Sequence, residues 1–426
     1  MQIQTELLHD DVKILNERIR YDLTKVLQKG ETAFLTGGAG SGKTHMLKDI
    51  ASKFKDSVIL APTGISASNV GGQTIHSFFS FPLHLQQPED VNTKIKNAHL
   101  IRKMELLIID EVSMVNPLLL DCIDTVMQRV RGDSNPFGGC AVLLCGDMAQ
   151  LPPVIPDKRG SGLSEKEILD KMGYTSKYAF SSKVWQKIQY YFELKGSWRQ
   201  NEDSGYFGIL NQIRNSLLGN QTRSLSQALG EVNHQCVGRN LVPDCFSTLA
   251  STNAIVREIN MDRLSRLTEP EYAYSAKVIG EWRDDLSRAP RELILKKGAQ
   301  VICVANDPLK QFVNGSIGKV VDMERQSVFV KLGETDRVIE VQPNRWDNWQ
   351  YAWDDEAGKM SVKSVGHFIQ VPLQIGYALT IHSSQGLTLP SVKFITTKLF
   401  EKSLSYVALS RCPSMCKLSL SQPLYC

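Results

Sequence analysis

The stretch Gly37-Gly38-Ala39-Gly40-Ser41-Gly42-Lys43-Thr44 constrains this chain more than any other. It has the form G-x-x-x-x-G-K-[ST]. The apolar run Ala33-Phe34-Leu35 precedes it and reads as a buried strand; His45-Met46-Leu47-Lys48-Asp49-Ile50 follows and reads as the start of a helix. Strand, glycine-rich turn and helix in that order make a phosphate-binding loop. The glycines let the backbone curl until its N–H groups converge on an anion, and the helix N-terminus adds partial positive charge. On this reading Gly38, Ala39, Gly40, Ser41, Gly42, Lys43 and Thr44 hold a nucleotide. Lys43 reaches the β- and γ-phosphates and the Thr44 hydroxyl sits on Mg²⁺.

Four further apolar runs end in small or polar residues: Val58-Ile59-Leu60, Leu106-Leu107-Ile108-Ile109, Ala141-Val142-Leu143-Leu144 and Phe246-Ser247-Thr248-Leu249-Ala250. Separated by helical stretches, they argue for α/β architecture with a mostly parallel sheet covered on both faces. Chemistry in such sheets gathers just past the strand C-termini. There the chain places Pro62-Thr63-Gly64, Asp110-Glu111 and Gly146-Asp147. Asp110 reads as the Mg²⁺ ligand and Glu111 as the group that orients and deprotonates an attacking water. Gln150 is placed to sense a γ-phosphate or that water. Between the two acidic and glycine-rich elements, Thr63, Gly64, Thr74, His76 and Ser77 offer small, hydroxyl and imidazole groups to a nucleic-acid backbone. Phe78, Phe79 and Phe81 are either stacking faces for bases or core.

At 426 residues the chain exceeds one ordinary core and calls for several domains. Its 42% hydrophobic and 22% charged residues exclude a disordered polymer. No apolar run approaches the roughly 18–20 residues of a membrane span, and the N-terminal residues lack the basic and apolar regions of a secretion signal. The net charge of +4 permits an anionic partner. Nine cysteines without a C-x-x-C pair read as reduced thiols rather than a zinc site, and the expected compartment is a bacterial-type cytoplasm, with nucleus or mitochondrion as alternatives. Asp10 to Lys29 carries Val12, Leu15, Ile19, Leu23, Val26 and Leu27 at helical spacing, and Gly30 ends it. Residues 82–103 lack periodicity and bring Lys94, Lys96, Arg102 and Lys103, as expected of a small insertion. A second core begins near Phe192. From Lys296 to His367 short runs separated by turns, Asn314-Gly315 among them, read as a small β-barrel inserted in that core. Trp346, Trp349, Tyr351 and Trp353 are expected to pack that insert. Arg199 and Arg411 suit the stabilisation of charge on a transferring phosphoryl group.

Taken in order, these segments resemble the motifs of the superfamily 1, group B helicases, most closely the Pif1 helicases. The series runs from Gly37–Thr44 through Ala61-Pro62-Thr63-Gly64, Gly72–Phe78, Asp110–Met114, Gly146–Pro153 and Gly196-Ser197-Trp198-Arg199-Gln200. It continues to Ala378–Thr388 and Tyr406–Arg411. Arg129-Val130-Arg131 with Asn135-Pro136-Phe137-Gly138-Gly139 resembles the segment that separates the Pif1 helicases from their RecD and TraI cousins. The resemblance implies two RecA-like P-loop cores: a first over 1–81 and 101–191 with a wedge insert at 82–100, and a second over 192–292 and 369–426 with an SH3-like β-barrel insert at 293–368.

It also implies ATP-driven 5′-to-3′ translocation on single-stranded DNA with Mg²⁺, unwinding of forked or 5′-tailed duplex, and action on G-quadruplexes in replication, recombination or telomere and genome maintenance. A monomer or a DNA-induced dimer is expected. Pro62, Thr63, Gly64, Thr74, His76, Ser77, Phe78, Thr252, Asn253, Thr380, His382 and Ser384 are implied to lie at DNA. Lys43, Glu111, Gln150, Arg199 and Arg411 are implied to serve catalysis, and Gln385 and Gly386 the nucleotide side. The chain departs from the family pattern in Ser383 where Lys is usual, in Ile19 where an adenine-sensing Gln is usual, and in Cys412-Pro413. It reads as close to a bare helicase core. Two rivals remain: a RecD- or TraI-like helicase module, and an ATP-gated nucleic-acid-binding switch that does not unwind.

Overall fold

A computed structural model describes residues 9–81, 88–93, 95–153, 165–196, 203–239, 247–282, 284–333, 337–354, 359–395 and 402–425. The chain divides into two units. The first comprises Met1–Met148, Pro152–Trp198 and Asn348–Val365; the second comprises Ala149–Leu151, Arg199–Asp347 and Gly366–Cys426.

The first unit opens with helix α1 (His9–Gln28), strand β1 (Thr32–Gly37) and helix α2 (Lys43–Ala51). Then come β2 (Ser57–Ala61), α3 (Gly64–Val70), β3 (Gln73–Thr74), α4 (Ile75–Phe79), α5 (Ala98–Lys103) and β4 (Leu106–Ile109). It continues with α6 (Pro117–Arg131), β5 (Ala141–Cys145), α7 (Glu165–Lys171) and β6 (Tyr190–Leu194). The strands form one sheet in the order β3-β2-β4-β5-β1-β6, with every pairing parallel. Because side chains alternate across a strand, a doubly covered sheet needs apolar residues at every position. The apolar runs deliver this. Phe34, Val58, Leu60, Leu107, Ile109, Val142 and Leu144 enter one buried cluster with Phe78, Ile101 and Ile123. Their neighbours Ala33, Leu35, Ile59, Leu106, Ile108, Ala141 and Leu143 enter another with Leu23, Leu27, Leu47 and Ile50. Residues 192–194, assigned from sequence to the second core, instead continue β6 alongside β1 up to the pair Gly37–Leu194. The partly polar, half-exposed texture of β6 marks an edge strand, not a new core.

The second unit carries α8 (Ser204–Leu218), α9 (Thr222–Cys236), β7 (Ser247–Ala250), α10 (Asn253–Ser265), β8 (Tyr272–Ser275), β9 (Lys277–Gly280) and β10 (Glu292–Leu295). Next are β11 (Gln300–Cys303), β12 (Ile317–Met323), β13 (Val328–Leu332), β14 (Val338–Val341), β15 (Asn344–Asp354) and β16 (Lys359–Gln370), of which Asn348–Val365 counts with the first unit, and β17 (Leu373–Ile375). The last are β18 (Ala378–Thr380), β19 (Val392–Phe394), α11 (Ser403–Leu409) and β20 (Leu418–Leu420). A parallel four-stranded sheet orders β18-β7-β19-β20. A five-stranded antiparallel sheet orders β14-β13-β12-β11-β17 over a core of Val301, Val320, Val328, Val330, Ile339, Val341 and Leu373. The antiparallel region is wider than the expected 293–368: β10 pairs with β8, β16 with β9, and β17 supplies the fifth strand. The run Leu373–Ile375 is too short for its pairing to be read from sequence. Trp346 is buried, with its ring 5.9 Å from that of Phe368, so it packs the second unit. The side chains of Tyr351 and Trp353 lie outside the described residues.

Candidate nucleotide and nucleic-acid site

The ends of β4, β5 and β1 lie side by side because those strands are neighbours in the sheet. The register sets Ile109 beside Leu144, and Leu35 beside Cys145. The Gly146 N–H donates to the Leu35 carbonyl at 3.1 Å, and a Cβ built on Gly146 would stand 3.0 Å from the Val112 nitrogen. The glycine-rich loop, Asp110-Glu111 and Gly146-Asp147 are thereby brought to one edge of one sheet.

Lys43 is the first residue of α2, and its Nζ donates to the Gly37 and Gly38 carbonyls at 2.7 and 3.0 Å. Gly42, at φ 92°, turns the loop into the helix in a conformation that favours glycine. Ser41 is buried and its Oγ has no hydrogen-bond partner among the described residues. A buried hydroxyl without a partner is costly, and an anion seated in the loop would supply one. Thr44 is exposed at the mouth. These features fit a nucleoside triphosphate. Asp110 is buried and accepts the Glu111 N–H at 2.9 Å. Its burial raises the carboxyl pKa above the ordinary range, against the opposing pull of the Glu111 hydrogen bond and the Lys43 charge. Glu111 has φ 52° and ψ 42°, a left-handed conformation rare outside glycine. Strain of this kind costs on the order of 1–3 kcal/mol and concentrates at functional positions. Asp147 and Gln150 are both buried. No group of three or more His, Cys, Asp or Glu among the described residues is arranged to hold a metal unaided. Thr44 and Asp110 would hold Mg²⁺ together with the nucleotide's own phosphates, the usual manner for that ion.

Several expected DNA contacts are placed otherwise. Phe78 and Phe79 are fully buried, in T-shaped contact at 5.1 Å, so neither presents a face to a base. Phe81 stacks on Phe79 at 5.3 Å. Thr74 is buried and caps α4 by accepting the Ser77 N–H at 3.3 Å. Thr63 caps α3 by accepting the Ser66 N–H at 3.2 Å. In the turn after β18, Ser384 is fully buried and donates to the Ile381 carbonyl, and the buried Thr380 shares its hydroxyl with Ser383 at 2.7 Å. In the same turn His382 and Ser383 are exposed. The Thr380 hydroxyl also accepts the Ser383 N–H at 3.0 Å, the turn chemistry of hydroxyl residues three apart. Pro62, His76 and Ser77 are half-buried, Gly64 is buried, and Thr252 and Asn253 are exposed at the start of α10. Gln385 keeps a buried Nε2 without a partner among the described residues, and Gly386 is exposed at φ 81°.

Arg411 is not a projecting finger. It is 2% exposed. Its guanidinium donates to the carbonyls of Val407 at 2.9 Å, Ser384 at 3.4 Å and Leu387 at 3.5 Å, and to Ser410 Oγ at 2.8 Å. A buried charge requires such acceptors. Arg199 and Lys94 lie outside the described residues.

The two arginines of the Arg129–Gly139 segment fasten it to the backbone around it. Arg129 reaches the Glu89 carbonyl at 3.2 Å. Arg131 reaches the carbonyls of Ile101, Met104 and Gly138 at 2.8, 3.0 and 2.7 Å. Buried Asp124 accepts the Phe137 N–H at 2.6 Å, and burial raises its pKa. Nothing in the sequence pairs residue 124 with 137.

A profile of the PIF1-like helicases matches residues 9–207. The ATP-dependent DNA helicase Pif1 of Bdellovibrio bacteriovorus is 31% identical over 394 residues, 91% of this chain and 83% of that protein. The chain spans 55% of the length of the Candida albicans ATP-dependent DNA helicase PIF1, at 28% identity. Among solved structures, Bacteroides sp Pif1 in complex with ADP-AlF4 superposes with a TM-score of 0.85 at 32% identity, over 96% of this chain and 93% of that one. The structure describing DNA unwinding at forked double-stranded DNA by two coordinating Pif1 helicases gives 0.63 at 32% identity, covering 95% and 92%.

Proposed function

The chain belongs to the Pif1 helicase family, and we propose that it is an ATP-dependent DNA helicase moving 5′ to 3′ on single-stranded DNA. The observation that carries this is the alignment of three strand ends: the Lys43 loop, Asp110-Glu111 and Gly146-Asp147 on neighbouring strands. The loop from Gly38 to Thr44 binds the phosphates, with Lys43 leaving the Gly37 and Gly38 carbonyls for the β- and γ-oxygens. Thr44 and Asp110 would hold Mg²⁺, which when bound would supply positive charge to the triphosphate. Glu111, fixed by its left-handed backbone, orients the attacking water, and Gln150 senses it. Arg199 and Arg411 supply positive charge to the transferring group; for Arg411 this requires its bonds to Ser384 and Leu387 to exchange for phosphate. Gln385 and Gly386 serve the nucleotide side.

In the first unit Pro62, Thr63, His76 and Ser77 face DNA, with Gly64, Thr74 and Phe78 supporting them from within; in the second Thr252, Asn253 and His382 face DNA, with Thr380 and Ser384 behind them. Forked and 5′-tailed duplex are the substrates, G-quadruplex DNA a further one, and a monomer that pairs on DNA the working form. The supporting comparison is the neighbour described with two coordinating helicases on forked DNA. No helix of the described residues is long and apolar enough to cross a membrane, and a nucleoid-associated, bacterial-type setting is the proposed compartment. Lys43→Ala tests the reading: single-stranded-DNA-stimulated ATP hydrolysis should fall by about 100-fold or more. Retained hydrolysis in that variant would remove the loop from the reaction.

A further inference from the structure

In the six-stranded sheet β6 is an edge strand whose one strand neighbour is β1. The outward side of an edge strand leaves backbone N–H and C=O groups without a ladder partner. At Lys195, directly after β6, both groups are taken by one side chain from α1. Asn16 Nδ2 donates to the Lys195 carbonyl at 3.1 Å, and the Lys195 N–H donates to Asn16 Oδ1 at 3.1 Å. The amide pairs with the backbone as another strand would. The next residue, Gly196, is at φ 77°, and a Cβ there would lie 2.8 Å from Val12 Cγ1, also on α1. One turn of α1 thus grips two consecutive residues.

The place gripped matters because of what β6 touches. Leu194 is the register partner of Gly37, the first residue of the phosphate loop. A Cβ on Gly37 would stand 3.1 Å from the Leu194 carbonyl and 2.6 Å from Ser41 Oγ. The Gly37 carbonyl in turn holds Lys43 Nζ at 2.7 Å. A continuous series of contacts therefore runs from Asn16 through Lys195, Leu194 and Gly37 to Lys43. The same helix, one turn further on, also reaches the phosphate-loop helix, where Arg20 pairs with Asp49 at 3.5 Å.

We propose that Asn16 is a positioning residue for nucleotide binding: by pairing with Lys195 it holds the end of β6 against Gly37 and keeps the phosphate loop in its anion-ready shape. It touches no phosphate itself. The inference rests on the reading of Gly37–Thr44 as the nucleotide loop. Losing a fixed loop conformation weakens ground state and transition state alike, which raises KM and leaves kcat.

The test measures single-stranded-DNA-stimulated ATP hydrolysis across ATP concentration for the whole chain, Asn16→Ala and Asn16→Asp, with DNA affinity and Tm alongside. Two partly exposed hydrogen bonds correspond to a rise in KM for ATP of about three- to tenfold in Asn16→Ala. Expected with it are kcat within about twofold, and DNA affinity and Tm essentially unchanged. Asn16→Asp keeps the acceptor for the Lys195 N–H and loses the donor, so its rise should be smaller. An unchanged KM in Asn16→Ala overturns the proposal. So does a KM that rises only together with matching losses of DNA affinity and Tm, since that is a structural role. An inactive wild-type chain would count against the functional reading, whereas an active wild type with an indifferent Asn16→Ala counts against this inference alone.

Discussion

Arg131 Nη1 stands 2.8 Å from the Ile101 carbonyl, across 30 residues of sequence. Ile101 lies in the last turn of α5, where helix carbonyls have no partners of their own. Arg131 also takes the Met104 carbonyl and, through Nε, that of Gly138. One guanidinium therefore fastens α5 and the loop after α6 to the end of α6. Arg131→Ala should cost about 2–3 kcal/mol in urea unfolding, since charged hydrogen bonds of this kind are the stronger ones. Arg131→Lys should recover only part, for want of the planar fork. An unfolding free energy within roughly 0.5 kcal/mol of wild type would show the three contacts to be idle.

Phe78 separates two accounts of the Gly72–Phe78 segment. Fully buried against Phe79, it should behave as core. Phe78→Ala should destabilise by about 3–5 kcal/mol. At a temperature where the variant stays folded, its affinity for single-stranded DNA should match wild type. A stable variant with weakened DNA binding would restore the stacking role.

Asp110 gives a pH signature. Burial raises its folded pKa above the unfolded value, so between those two values the native state holds a proton that the unfolded state has released. Stability from this group is present below the ordinary carboxylate pKa and is lost as pH rises through the window. Above it the charged carboxylate remains a burden. Asp110→Asn should therefore raise Tm near pH 7 while lowering hydrolysis by about 100-fold or more, and the Tm gain should shrink as pH falls toward the ordinary carboxylate range. Thermal scans across pH decide the matter; a lower Tm near pH 7 would contradict it.

Gly315 ties the antiparallel region to the turn that bears His382. Its φ is 98°, and a Cβ there would lie 2.5 Å from the Thr388 carbonyl. Gly315→Ala should destabilise by more than about 1 kcal/mol, through backbone strain and the displaced Thr388. Chemical denaturation followed by intrinsic fluorescence measures this, and a neutral substitution would mean the turn yields freely.

How much of this was readable beforehand follows the length of the signals. The first sheet was legible because Leu106–Ile109 and Ala141–Leu144 are unbroken apolar runs, and both faces of a covered sheet demand them. The phosphate loop and Asp110-Glu111 were legible because their chemistry is local. The strands β18, β19 and β20, three residues each, give no periodicity to detect. Burial was the harder quantity. Thr380, Ser384 and Arg411 belong to polar segments that read as surface chemistry and Phe78 to one that reads either way, and only tertiary packing shows them facing inward. The Asn16–Lys195 pairing joins residues 179 apart, which no local pattern encodes.

The proposed activity couples ATP turnover at the Lys43 loop to strand separation with 5′-to-3′ polarity. The direct measurement is ATP-dependent displacement by the whole chain on duplexes carrying a single-stranded tail at either the 5′ or the 3′ end, with Lys43→Ala as the control. Displacement is expected from the 5′-tailed duplex alone, and is expected to be abolished in Lys43→Ala. Displacement from the 3′ tail alone, or DNA-stimulated hydrolysis with no displacement from either tail, would contradict the proposed activity.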